Sequence, residues 1–155
     1  MKTLRETAPA YGTPRSEGTR FCVLDTSVVV GVLRRHPPSE LLLADLERAR
    51  APVPVLTSVV RYEAERGVRS PQGRVRLAAL LERTAVWPFT GEDAAVAGAV
   101  GRDLRERHQA IGDLAVLIAA TALRRRVPLL TFNVRHFTRV PGLEVWDAFG
   151  GAGGA

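Results

Sequence analysis

Asp25 closes the apolar run Phe21-Cys22-Val23-Leu24 and is followed by Thr26-Ser27, while Glu63 and Asp113 stand at comparable junctions further along. A carboxylate at the carboxyl end of a buried strand has little water around it and requires a cation or a hydrogen-bond donor. In open α/β sheets that rim is also where ligands bind. Two or three carboxylates there, without Cys or His in ligand spacing, suit a hard cation, Mg²⁺ with Mn²⁺ as substitute, rather than zinc. Such an ion keeps waters, one of which can become an attacking hydroxide. The chain carries 22 Lys and Arg against 16 Asp and Glu, a net charge of +6. That excess favours a polyanionic partner, so the reaction that fits is hydrolysis of a phosphodiester in nucleic acid.

Each candidate has a plainer reading beside the chemical one. Glu63 falls on the helix side of Val59, Val60 and Gly67, where a carboxylate has no local partner; Glu65 falls with Arg61 and Arg69, an exposed ion-pair side. Asp113 follows Gly112 at a helix start, where it serves as an N-cap, a metal ligand or both. Asp93 reads as the acid of a capping box and Asp103 as a solvated charge among arginines. Asn133 ends a strand on the same rim as Asp25 and orients a carboxylate or a phosphate, or else simply turns the chain. His136, three positions on, meets substrate or a partner's acid. Arg34, Arg35, Arg61, Arg66, Arg69, Arg74 and Arg76 are available for phosphate contacts. Arg124-Arg125-Arg126 instead suit a helix C-terminus, where cations favour the dipole.

The elements that must position these groups alternate. Strands are expected at Phe21–Leu24, Val55–Leu56, Val86–Phe89, Val127–Thr131 and Leu143–Trp146. Helices are expected at Ser27–Arg35, Glu40–Arg50 with Ser39 as cap, Val59–Arg66 with Ser58 as cap, Gln72–Arg83, Thr90 to about His108, and Leu114–Leu123. Alternation of this kind implies a mainly parallel sheet with helices on both faces. Residues 1–20 have no apolar period and read as a flexible extension; the Gly-rich residues 149–155 read as a flexible tail, leaving one domain over 21–148. A lone cysteine, Cys22, excludes an intrachain disulfide. No leader is evident, and the longest apolar run, Leu114 to Leu123, is well short of the ~20 residues that span a bilayer, so no membrane is involved and the cytoplasm is the expected location.

Four segments together resemble a PIN domain of the VapC toxin type: Val23-Leu24-Asp25-Thr26-Ser27, Tyr62-Glu63-Ala64-Glu65-Arg66-Gly67, Ile111-Gly112-Asp113 leading into Ile118-Ala119-Ala120-Thr121-Ala122, and Thr131-Phe132-Asn133-Val134-Arg135-His136-Phe137. The resemblance spans Phe21 to about Trp146. It implies a PIN-like three-layer α/β/α sandwich and a Mg²⁺-dependent endoribonuclease, a homodimer neutralised by a VapB-type antitoxin and aimed at transfer RNA or ribosomal RNA. Asp25 and Glu63 match the family's first two acids, and Asp113 an additional acid of a subgroup. The third acid is expected at position 115, where Ala115 stands. That vacancy reads as an Asp replaced so that a toxic nuclease could be produced, or as a natural variant with weakened metal binding. The fourth acidic position is His136. On this reading Asp25, Glu63 and Asp113 hold the metal, Asn133 supports them, and Thr26, Ser27, His136 and Arg66 meet substrate or partner. Two other readings compete: a catalytically silent module that binds RNA or an acidic antitoxin segment, and a phosphotransfer protein using Asp25, disfavoured because Ser27 stands where a second acid is needed. The early helices, with Val29, Val30, Leu33 and Leu41 to Leu43, offer an apolar face for the antitoxin.

Overall fold

A computed structural model describes residues 20–150. Five strands, β1 (Phe21–Leu24), β2 (Val53–Thr57), β3 (Ala85–Trp87), β4 (Leu129–Thr131) and β5 (Val145–Asp147), form one sheet in the order β3-β2-β1-β4-β5. Every neighbouring pair is parallel, with Val23 opposite both Val55 and Leu129, Leu56 opposite Val86, and Leu130 opposite Trp146. Cys22, Val23, Leu24, Val55, Leu56, Leu129 and Leu130 are fully buried, as strands covered on both faces require. The first half of the chain winds to one side of β1 and the second half crosses to the other. The order therefore reverses between β1 and β4, and the carboxyl ends of those two strands flank a crevice.

Seven helices are described: α1 (Thr26–Leu33), α2 (Pro37–Ala49), α3 (Ser58–Gly67), α4 (Pro71–Arg83), α5 (Gly91–Glu106), α6 (Asp113–Arg125) and the single turn α7 (Val134–Phe137). The expected α/β/α class and the five strands stand. Several starts differ from expectation, and each difference has a local cause. α2 begins at Pro37 rather than after Ser39, because proline suits the first helical positions. Ser39 is instead buried beneath Gly31, where a β-carbon would lie 1.9 Å from Ser39 Oγ, so α1 and α2 approach closely only because Gly31 has none. α3 is capped by Thr57, whose Oγ1 accepts from Val60 N at 3.1 Å. Ser58, the expected cap, donates to Trp87 O and accepts from Phe89 N, tying α3 to the end of β3.

α5 carries the expected capping box, Thr90 with Asp93. Asp93 has a second task that its position hid: it is fully buried and receives Arg124 Nε at 2.6 Å and Arg125 Nη1 at 2.8 Å, clamping α5 to the end of α6. Burial alone pushes the Asp93 carboxyl up, but the Arg124 hydrogen bond, the Thr90 N–H and Arg125 outweigh it and hold it below the usual value. In α4, Leu77 and Leu80 enter the core, whereas Val75 is 70% exposed. The extension expected at 1–20 and the tail at 149–155 lie almost wholly outside the described residues. Phe149, which is described, packs its ring 4.5 Å from that of Phe132. Among the described residues no helix is long and apolar enough to cross a membrane.

Candidate active site

Asp25 occupies two structural positions at once. It leaves β1, with its backbone N–H on Leu130 O of β4, and it is the N-cap of α1. Its Oδ2 accepts from Ser27 Oγ at 2.8 Å and Thr131 Oγ1 at 2.8 Å, with Ser27 N more distant at 3.4 Å. Ser27 Oγ in turn accepts from Phe132 N, and Thr131 Oγ1 from Asn133 N. These hydroxyls bind the ends of β1 and β4 across the reversal of strand order. All of this falls on one oxygen: Oδ1 accepts no hydrogen bond from any described residue, although Asp25 is only 4% exposed. A buried carboxylate oxygen without a donor is costly unless a cation reaches it.

Glu63, one and a half turns into α3, is half-buried and faces the same crevice, where its Oε1 accepts from Thr26 Oγ1 at 2.7 Å. Thr26 and Ser27 thus position the two acids, one each. The crevice is walled by Asp25, Glu63, Ala115, Asn133 and His136, with Val30, Ile118 and Phe137 supplying apolar floor. Asn133 meets its expectation only in place. Its backbone N–H is engaged, but its side-chain amide is bonded to no described residue and is free for a ligand.

The structure does not bring Asp113 to this site. Asp113 is the first residue of α6, after the N-cap Gly112, and lines a separate concavity with Gly98, Arg102 and Arg105 of α5. Residues two apart lie about 200° around a helix, so Ala115 faces Asp25 and Glu63 while Asp113 turns away. It lines a different concavity from the two acids, and its charge serves the first turn of α6. Among the described residues no group of three or more His, Cys, Asp or Glu is arranged to hold a metal. Arg66, expected near the site, is exposed and lies over the Tyr62 ring instead.

Of the other arginines, Arg35 and Arg61 pair with Glu40 and Glu65, and Arg76 donates to Leu33 O. Arg34 and Arg69 flank a groove that adjoins the site through Val30. The apolar face expected for a partner is mostly core: Val29, Leu33, Leu42 and Leu43 are buried, leaving Val30 half-exposed and Leu41 54% exposed. The residue missed from sequence is Thr131. A hydroxyl closing a buried strand beside the strand that ends in Asp25 was the available signal.

The strand-order reversal of a parallel sheet, where ligands bind in open α/β folds, here holds two acids. The PIN-domain family matches residues 22–143, and the chain belongs to it. Within that family the chain is 38% identical to Ribonuclease VapC19 of Mycobacterium tuberculosis over 125 residues, 79% of this chain and 96% of that protein. Ribonuclease VapC2 of Rickettsia felis is 28% identical, over 81% of this chain and 97% of its own length. Among solved structures, VapBC2 of Rickettsia felis bound to a promoter DNA fragment superposes with a TM-score of 0.72 at 23% identity, covering 82% of this chain and 98% of that one. VapBC of Salmonella typhimurium bound to DNA follows at 0.70, with 23% identity over 83% and 98% of the two chains.

Proposed function

We infer that the chain is a metal-dependent endoribonuclease, the toxin of a toxin–antitoxin pair, with Asp25 and Glu63 as the metal-holding acids. The observation that carries this reading is Asp25, 4% exposed, whose Oδ1 accepts from no described residue and which lines the same crevice as Glu63. Hard oxygen donors of this kind fit Mg²⁺, which is commonly bound by one or two carboxylates with substrate phosphate completing the set. Mn²⁺ fits the same donors. Bound there, the ion supplies positive charge to the phosphodiester and makes a nearby water more acidic.

The chain's own groups have separable tasks. Ser27 and Thr131 hold Oδ2 so that Oδ1 faces the crevice, and Thr26 holds Glu63 through Oε1. Asn133 and His136 line the wall beside α7, where a side-chain N–H donates to a phosphate oxygen. In hydrolysis a water oxygen bonds to phosphorus, the ester P–O bond breaks, and the proton the water gives up ends, through solvent, on the departing sugar oxygen. Ala115 leaves the ligand set one carboxylate short, which weakens metal binding.

The VapBC complexes that share this fold support a VapB-type antitoxin as partner. A relative from Salmonella typhimurium, 22% identical, is a tRNA(fMet)-specific endonuclease, so transfer RNA is the first substrate to try, with ribosomal RNA next. The test is cleavage of these RNAs with Mg²⁺ or Mn²⁺, alone and with chelator. We expect cleavage that the chelator abolishes, and that Glu63→Gln lowers by at least the ~10- to 100-fold that loss of even an outer metal partner costs. A folded Glu63→Gln that cleaves at the parent rate removes Glu63 from the site and the reading with it.

A further inference from the structure

The wall shared by Asn133 and His136 continues outward into a second hollow, lined by Phe132, Arg135, Arg139, Asp147 and Phe149. Two of its groups reach into solvent. Phe149 is 54% exposed, a large apolar ring left in solvent. Arg135 is exposed, and its guanidinium is engaged with no described residue. Phe149 is held in place by its surroundings. Phe149 N donates to Asp147 Oδ1 at 2.9 Å, Gly150 N donates to Asp147 O, and Ala148 N extends the β4–β5 ladder onto Thr131 O. The Phe149 ring leans on Phe132 with centroids 4.5 Å apart, and His36 meets the Phe132 ring edge-on at 5.8 Å. Phe132 is itself anchored to the acid cluster through the Ser27 hydroxyl.

We propose that Phe149, backed by Phe132, is a stacking platform for one unpaired base of single-stranded RNA, with Arg135 taking a backbone phosphate beside it. An aromatic face next to a free cation is how proteins hold single-stranded nucleic acid without reading its sequence. The charge agrees, since the chain carries +6 overall. Continuity agrees as well, because the hollow shares Asn133 and His136 with the crevice of Asp25 and Glu63. A strand whose phosphate sits at the acids therefore runs onto the platform within a nucleotide or two, and the platform selects RNA that is unpaired at that point.

The inference deepens the ribonuclease reading and rests on it, yet it is tested without turnover. Short single-stranded RNAs carrying 2-aminopurine at successive positions are titrated, in chelator, onto the full chain and onto Phe149→Leu, Phe149→Trp and Arg135→Gln, with circular dichroism checking the fold. Quenching is expected at one position, retained with Trp and lost with Leu, and Kd is expected to rise about fivefold or more with Leu. Arg135→Gln weakens all the RNAs alike and flattens the salt dependence. A fully paired RNA duplex is expected to bind with no dependence on residue 149. Folded Phe149→Leu that binds and quenches like the parent overturns the platform. Equal loss with Trp and Leu overturns it too. The two readings separate: RNA cleaved with unchanged kcat/KM by Phe149→Leu leaves the nuclease standing and removes the platform. Quenching dependent on Phe149 in a chain that cleaves nothing, even as Ala115→Asp, keeps the platform and removes the nuclease.

Discussion

Ala115→Asp tests the architecture of the site most directly. Position 115 is the third residue of α6, half-buried, and lines the crevice with Asp25 and Glu63. A carboxylate added roughly 6 Å from another, at an effective dielectric near 20, is repelled by about 3 kcal/mol. The N-terminal end of the helix returns up to about 1 kcal/mol. Solvent at a crevice open on one side removes part of the remainder, leaving a net cost of about 1 to 2 kcal/mol. For a chain of this size that lowers Tm by about 3 to 6 °C in chelator. A divalent cation reverses the sign, since three acids then share one positive charge centre. Mg²⁺ at about 100 times its Kd contributes about 2.7 kcal/mol, enough to lift the variant above its metal-free parent. The assay pairs melting curves with RNA cleavage, each with and without Mg²⁺. The expected result is a lower Tm than the parent in chelator, a larger rise with Mg²⁺, and cleavage well above that of the chain as it stands. Equal metal-induced shifts and equal rates in two folded proteins would falsify the assignment of that helix face to the site.

Three further outcomes follow from contacts elsewhere. Asp93→Asn leaves Arg124 and Arg125 without their shared acid and is expected to cost about 2 to 4 kcal/mol in urea unfolding at pH 7. Because the Asp93 carboxyl is held below its unfolded value, this contribution is complete above the unfolded value near 3.9 and fades as pH falls further. The gap between parent and variant should therefore narrow as pH falls below about 4, and a gap that widens with falling pH would contradict the pairing. Gly31→Ala puts a β-carbon into Ser39 and should lower stability by about 1 to 3 kcal/mol; unchanged urea midpoints would show that α1 and α2 separate at no cost. Burial pushes the Cys22 thiol up to about 12, so alkylation in native buffer should wait for global unfolding, and rapid labelling at pH 8 would show a looser β1.

The parts of this molecule that were legible in the sequence are those where local pattern and burial agree. An apolar run ending in an acid places Asp25, and the side of α3 that Glu63 takes follows from a 3.6-residue period. Asp113 reads alike as cap and as ligand in the sequence, because both chemistries favour the same residue and only the phase of α6 separates them. Thr131 and Ser39 act across strands and helices distant in sequence, so no local rule marks them. Phe149 was hidden by its neighbours: a run rich in glycine dominates composition there, while the ring is fixed by Asp147 and Phe132.

One oxygen of Asp25 belongs to the scaffold and the other to the crevice. Asparagine caps helices as well as aspartate does, and its amide keeps the size and shape of the acid. A single codon change, Asp25→Asn, is therefore expected to keep the helix cap and the fold while removing the negative charge from the crevice, so the scaffold and the chemistry of this position can be lost separately.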